Sequence, residues 1–202
     1  MSYEPDFIPT EKEGKNHDQE FSVDKASIAA AVTTFQNACT RLRLPGLWHG
    51  IAGMASAKFN LCTPGNIEPG RLLEINDYVS IIITGPAGIL GEGADWVRVD
   101  NMQQDFIPAA DESFGLTLRA CANPNTVVTD AAHFFETIST STFLVKRTGT
   151  LVTINFYGRN EKPNTHTISV IDNVRNAMVA AAAVLGLSNL QWTALCKGLL
   201  SD

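Results

Sequence analysis

The sequence contains no Cys-x-x-Cys pair, no cluster of Lys and Arg, no apolar run of 18 residues and no Gly-x-Ser-x-Gly. Each absence excludes a class of function. Without paired cysteines there is no zinc knuckle and no dithiol motif. Cys39, Cys62, Cys121 and Cys196 stand far apart, and Cys39 and Cys196 fall on apolar helical stripes, so reduced thiols acting as small hydrophobes are expected. Without a basic cluster there is no electrostatic footprint for nucleic acid or anionic membrane. Without a long apolar run no segment spans a bilayer, and without a basic stretch leading into an apolar one there is no secretory signal to read, so the expected location is cytoplasmic. The missing Gly-x-Ser-x-Gly leaves nucleophilic catalysis with no positive sign.

What is present suits a folded chain. Its 202 residues are 45% hydrophobic and 18% charged, enough to bury one core without staples. The net charge of −6 is uneven. Glu4, Asp6, Glu11, Glu13, Asp18 and Glu20 against Lys12 and Lys15 put most of it in the first twenty residues. That stretch has no period, and a mobile acidic arm over residues 1–20 followed by a single domain over 21–202 is expected.

Within the domain, Ile28, Val32, Phe35, Cys39 and Leu42 step at helical spacing, giving a helix within Val23 to Arg43, capped by Ser22 or Asp24 and stopped at Pro45-Gly46. Leu47 to Ala55 carries no clean period. Tyr78 to Ile83 reads as a buried central strand, Trp96 to Met102 and Phe114 to Cys121 as further strands, and Asp105 to Ser113 as a loop. A short helix is expected around Ala131 to Glu136, another from Ser169 to Leu185, and a last one after the capping box Ser188-Asn-Leu-Gln191. Strands do not alternate with helices, which argues against a parallel sheet. The expected fold is α+β, a curved antiparallel sheet of five to six strands with an N-terminal helix and two C-terminal helices packed on one face.

The strongest local signal is a hairpin from Thr140 to Asn164. With Thr148-Gly149 as the loop, Val145 faces Val152 and Phe143 faces Ile154, and the apolar face ends at Phe156. A three-residue loop with a bulge at Gly149 competes. The opposite face carries Thr140, Thr142, Thr153, Asn155 and Tyr157, suited to solvent or to the wall of a polar cavity.

Candidate chemistry is sparse. The glycine-rich stretch from Gly85 to Gly93 follows a strand but lacks the Lys-Ser/Thr and the helix that a phosphate loop needs, which favours a flexible hairpin loop. His17, His49, His133 and His166 show no ligand spacing, so no metal is expected, and no cofactor. His133 and Glu136 share a helical face. Trp48 and Trp96 are more simply core than cavity wall. Polar residues leaving the end of the hairpin are the best candidates for ligand contact: an Arg159/Glu161 pair with Asn160 and Asn164 at a pocket mouth, joined by Tyr157, Thr153, Asn155 and His133.

The order of elements resembles that of helix-grip lipid-binding domains, in which a curved antiparallel sheet wraps a long C-terminal helix. The resemblance implies a fold and no particular function. With no catalytic motif in view, the leading expectation is a binding or assembly module, with self-association or a protein partner. The alternative is a pocket for a small apolar or mixed-polarity ligand between the sheet and the C-terminal helices.

Overall fold

A computed structural model of the chain describes residues 7–53, 57–63, 65–82, 94–107, 111–125, 135–162 and 189–201. Their order is β1 (Lys15–Asp24), α1 (Ile28–Leu42), α2 (Pro45–Ala52), β2 (Lys58–Thr63), β3 (Asn66–Ile67), β4 (Tyr78–Ile82), β5 (Asp95–Ile107), β6 (Asp111–Ala120), β7 (Thr140–Thr148) and β8 (Leu151–Glu161). A helix over 189–199, here α3, follows. The strands form one antiparallel sheet in the order β1-β8-β7-β6-β5-β4-β2-β3. The glycine-rich stretch 85–93, the helix expected at 169–185, and His133, Asn164 and His166 lie outside the described residues.

The sheet has eight strands where five to six were expected. The largest difference is at the N-terminus. Residues 15–20, expected in a mobile arm, belong to β1, which pairs with β8 from Lys15↔Glu161 to Asp24↔Leu151. Its polar sequence hides a period of two: His17, Gln19, Phe21 and Val23 are half-buried, while their neighbours are exposed. Because β1 uses Ser22 and Asp24, the helix after it is capped by Ser27, whose hydroxyl accepts from the Ala30 amide at 3.2 Å. α1 does end just ahead of Pro45-Gly46, at Leu42. Pro45 is also the first residue of α2, where its missing N–H is harmless. The loop expected from Asp105 to Ser113 is narrower, since β5 runs to Ile107 and β6 starts at Asp111.

In the hairpin, Gly149 and Thr150 form the loop, with Thr148 opposite Leu151. Gly149 has φ of 60°, as the first central position of a type II′ turn requires. Moving the loop by one residue shifts the partners by two, so Val145 pairs with Ile154 and Phe143 with Phe156. A shift of two preserves the faces. Phe143, Val145, Val152, Ile154 and Phe156 therefore still share one face, and all are fully buried.

That face packs under the helices and is concave. In a flat sheet β8 and β2 would lie about 24 Å apart, five strand spacings. Yet the Trp192 ring on α3 lies 5.8 Å from Phe59 of β2 and 6.2 Å from Phe156 of β8. The sheet must curl around α3 to bring both to one indole. A register shift between Val99 and Asn101 of β5 supplies one local bend.

Truncating Ile154 to Ala is expected to cost about 2–5 kcal/mol, whereas Thr153→Ala, on the opposite and half-buried position, is expected to cost less than about 1 kcal/mol. Urea melts of the two variants measure the difference.

Candidate functional site

The end of β8 is where the chain departs from simple alternation. In strict alternation Gly158 and Asn160 would face the helices, and Glu161 the other way. Asn160 instead has φ of 54°, a left-handed conformation that Asn tolerates better than most residues. The kink turns Asn160 to the convex face and brings Glu161 to the concave one. Sequence spacing alone does not show such a reversal.

On the convex face Asn160 clamps the N-terminal segment. Its Oδ1 accepts from the Lys12 amide at 2.7 Å and the Glu13 amide at 3.2 Å, and its Nδ2 donates to the Thr10 carbonyl at 3.2 Å. Glu11 returns the contact by accepting from the Asn160 amide at 2.8 Å. Further along the same segment, the Phe7 ring lies over Gly115, where any Cβ would collide with it. The convex face of the central strands is thus packed, with Thr117, Thr140, Thr142, Leu144 and Asn155 all buried. Thr117 and Thr142 hydroxyls meet at 3.0 Å, and Asn155 donates to Glu20 at 2.7 Å.

Two expectations are corrected here. Arg159 does not pair with Glu161: it binds the Asp18 carboxylate and lies 5.4 Å over the Tyr157 ring, on the opposite face from Glu161. The polar face is not uniformly open to water: Asn155 is buried, while Thr153 and Tyr157 are half-buried. A convex groove of about 470 Å³ is lined by Pro9, Thr10, Lys12, Glu13, Arg119, Ile138 and Asn160. Its Arg119 is held by Asp100 at 2.7 and 2.9 Å, its Glu13 by Lys162 at 3.4 Å, and its Asn160 by the segment itself.

The concave face holds the other group. Glu161 is 5% exposed and lines a small cavity of about 40 Å³ with Ile81, Asp95, Leu118, Phe135, Ser141 and Trp192 among its walls. Gly158 lies directly beneath the carboxyl group, and a Cβ there would strike its Oε1. Among the described residues nothing donates a hydrogen bond to this carboxylate. Burial first, and the nearby Glu11 charge second, push the Glu161 carboxyl up to about 7, while Arg159 and Lys15 pull it down. A buried acid held near neutrality in a cavity is a physical mark of a functional position.

Other candidates are accounted for. His17 accepts from Gln19 at 2.6 Å, and the His49 ring lies 3.2 Å from the Ala57 carbonyl. Among the described residues no group of His, Cys, Asp and Glu fits a metal ion. The cysteines are free, and burial pushes the thiols of Cys39, Cys121 and Cys196 up to about 12, which leaves them inert. Trp48 is fully buried core, 5.3 Å from Phe59. Among the described residues no helix is long and apolar enough to cross a membrane.

No protein-family model and no curated protein matches the chain. Solved structures do. The di-domain ARO/CYC protein BexL from the BE-7585A biosynthetic pathway is 11% identical over 93% of this chain, with a TM-score of 0.40. This chain spans about half, 51%, of the length of that protein. Ara h 8.0201 is 10% identical over 93% of this chain and 100% of its own, with a TM-score of 0.37. A truncated norcoclaurine synthase from Thalictrum flavum is 8% identical over 96% of this chain and 99% of its own, with a TM-score of 0.35. At these scores the fold assignment rests on strand order and curvature, and the likenesses add no argument about function.

Two outcomes follow from the strand end. Asn160→Ala removes the acceptor of two amides and is expected to cost about 1–3 kcal/mol, with faster hydrogen exchange at Lys12 and Glu13. Glu161 has a folded pKa above its unfolded one, so its contribution is fully present below about pH 4.5 and is lost as pH rises through about 7. The wild type is expected to lose up to roughly 3 kcal/mol over that window, and Glu161→Gln to lose none of that component, in chemical denaturation followed as a function of pH.

Proposed function

We propose that the protein binds a small ligand of mixed polarity, with a polar head at Glu161 and an apolar body against Trp192 and the concave sheet face. The observation that carries this reading is the buried Glu161 carboxyl, to which no described residue donates a hydrogen bond. Burying an acid without a donor costs free energy that a folding domain has no reason to retain. A ligand that bonds to it recovers that cost when bound. The surrounding Trp192, Phe135, Leu118 and Ile81 supply the apolar lining typical of small-molecule sites, in which a few polar groups fix orientation.

Size limits what enters. A water needs about 10–15 Å³ of such volume, so about 40 Å³ admits a head group of a few heavy atoms rather than a whole ligand. Whole-ligand sites are roughly 300–1,000 Å³. The body of the ligand therefore lies outside this recess.

This reverses the order that the sequence alone supports, in which a binding or assembly module led. The acidic arm that motivated assembly is engaged within the chain instead, by β1 pairing and by the Asn160 clamp. Native mass spectrometry of the protein purified from its host separates the two readings. A monomer carrying the mass of a bound small molecule is expected. A ligand-free oligomer would overturn the proposal in favour of assembly.

A further inference from the structure

We infer that the N-terminal segment, residues 7–13, is a latch on the convex face that controls the Glu161 recess on the other side of the sheet. Docked, it holds Asn160 left-handed and Glu161 inward; released, it lets the strand straighten and turns Glu161 outward. The inference rests on the binding reading above and deepens it by naming how that site is regulated.

The strand end is a one-residue switch. Between the pairs Lys15↔Glu161 and His17↔Gly158, β1 advances two residues while β8 advances three, so β8 carries one extra residue. Asn160, with φ of 54°, takes up the excess. In an even strand Glu161 would share the outward face of Asn155, Tyr157 and Arg159.

A left-handed residue other than glycine persists only where its surroundings hold it. Here the latch supplies four hydrogen bonds. The Asn160 Oδ1 accepts from the Lys12 and Glu13 amides, its Nδ2 donates to the Thr10 carbonyl, and its own amide donates to Glu11. From the strand side, the Ser139 hydroxyl donates to the Asn160 carbonyl at 2.7 Å.

Two glycines fit the latch to its seat. Gly14 reverses the chain with φ of 103°, and a Cβ there would come within 3.0 Å of the Asn160 and Glu161 backbone. At the far end the Phe7 ring fills the space that a side chain at Gly115 would take. Between them Thr10, Lys12 and Glu13 are exposed, so the latch can lift without unpacking the core.

The charges around Glu161 come from several elements. Glu11 of the latch raises its carboxyl, Arg159 of β8 and Lys15 of β1 lower it, Asp95 of β5 lines the same recess, and His17 of β1 pairs with Gly158. Burial is the largest cause of the raised value, so turning outward restores the ordinary one. By linkage, a ligand that holds Glu161 inward tightens the latch by the same factor.

The test uses the full chain with Gly14→Ala or Phe7→Ala, which lift the latch from its two ends and change no charge. Glu11→Gln is the control that removes a charge and keeps an acceptor. Hydrogen exchange at Lys12 and Glu13 reads the latch, the intraresidue HN–Hα NOE of Asn160, strong at positive φ, reads the switch, and the Glu161 ¹³C carboxyl titration reads the recess. In both lifting variants exchange is expected to speed at least about tenfold, the NOE to weaken, and the midpoint to fall from about 7 toward about 4.3. Glu11→Gln is expected to keep the NOE and to lower the midpoint less. In native mass spectrometry the small molecule carried by the wild type is expected to be lost from the lifting variants. Fast exchange with the NOE and midpoint unchanged would overturn the latch and leave the pocket standing, and so would amides as protected in both variants as in the wild type. A midpoint that falls in the variants while the wild type carries no small molecule would support the latch and sink the binding reading.

Discussion

The Trp192 indole is the contact on which the rest of the structure depends. It is 4% exposed and touches Phe59, Trp48, Phe143 and Phe156, residues drawn from β2, α2, β7 and β8. One ring thus ties the two halves of the sheet to the C-terminal helix. Aromatic contacts of this kind add roughly 0.5–1.5 kcal/mol each beyond the area they bury. Around them lies one continuous core, from Ala31 and Phe35 on α1 to Leu195 and Leu199 on α3. The curl that follows creates a concave face, and the recess beside Glu161 exists only because the sheet closes toward the indole.

A second constraint is the left-handed residue at the end of β8. By reversing the alternation at one position, Asn160 gives the strand end two distinct roles. Outward, its amide holds three backbone groups of the N-terminal segment, so that residues 10–13 are fixed beside β8 before the chain turns at Gly14, which has φ of 103°. Inward, Glu161 is delivered, 5% exposed, to a recess in which no described residue donates to it. The two roles are coupled through Glu11, which accepts from the Asn160 amide and also raises the Glu161 pKa. The Glu11 Oε1 atom is itself buried without a partner. The acidic stretch at the N-terminus is therefore part of the electrostatics of the recess.

Much of the fold was legible because its strongest signals were local. Apolar residues at positions 143, 145, 152, 154 and 156 fix a face whatever the exact loop, which is why the hairpin faces were right although Gly149-Thr150, not Thr148-Gly149, forms the turn. The α+β class and the antiparallel pairing follow from the same kind of pattern. What sequence reading missed lacked a local signal. β1 opens with Lys, Asn, His, Asp, Gln and Glu, and its strand character comes from pairing with β8 far along the chain. Glu161 was singled out as a partner of Arg159, which binds Asp18 instead. The two lie on opposite faces because of a single backbone angle at Asn160, and Gly158, three residues before Glu161, was the hint that a side chain packs there.

The recess depends on Glu161 being a buried acid to which no described residue donates. The most direct measurement is the ¹³C NMR titration of the glutamate side-chain carboxyls, with Glu161 assigned by its loss in Glu161→Gln. A midpoint near about 7, well above the ordinary glutamate value of about 4.3, is the predicted result. A midpoint at the ordinary value would place the carboxyl in water or against a donor, and would contradict both the recess and the function built on it.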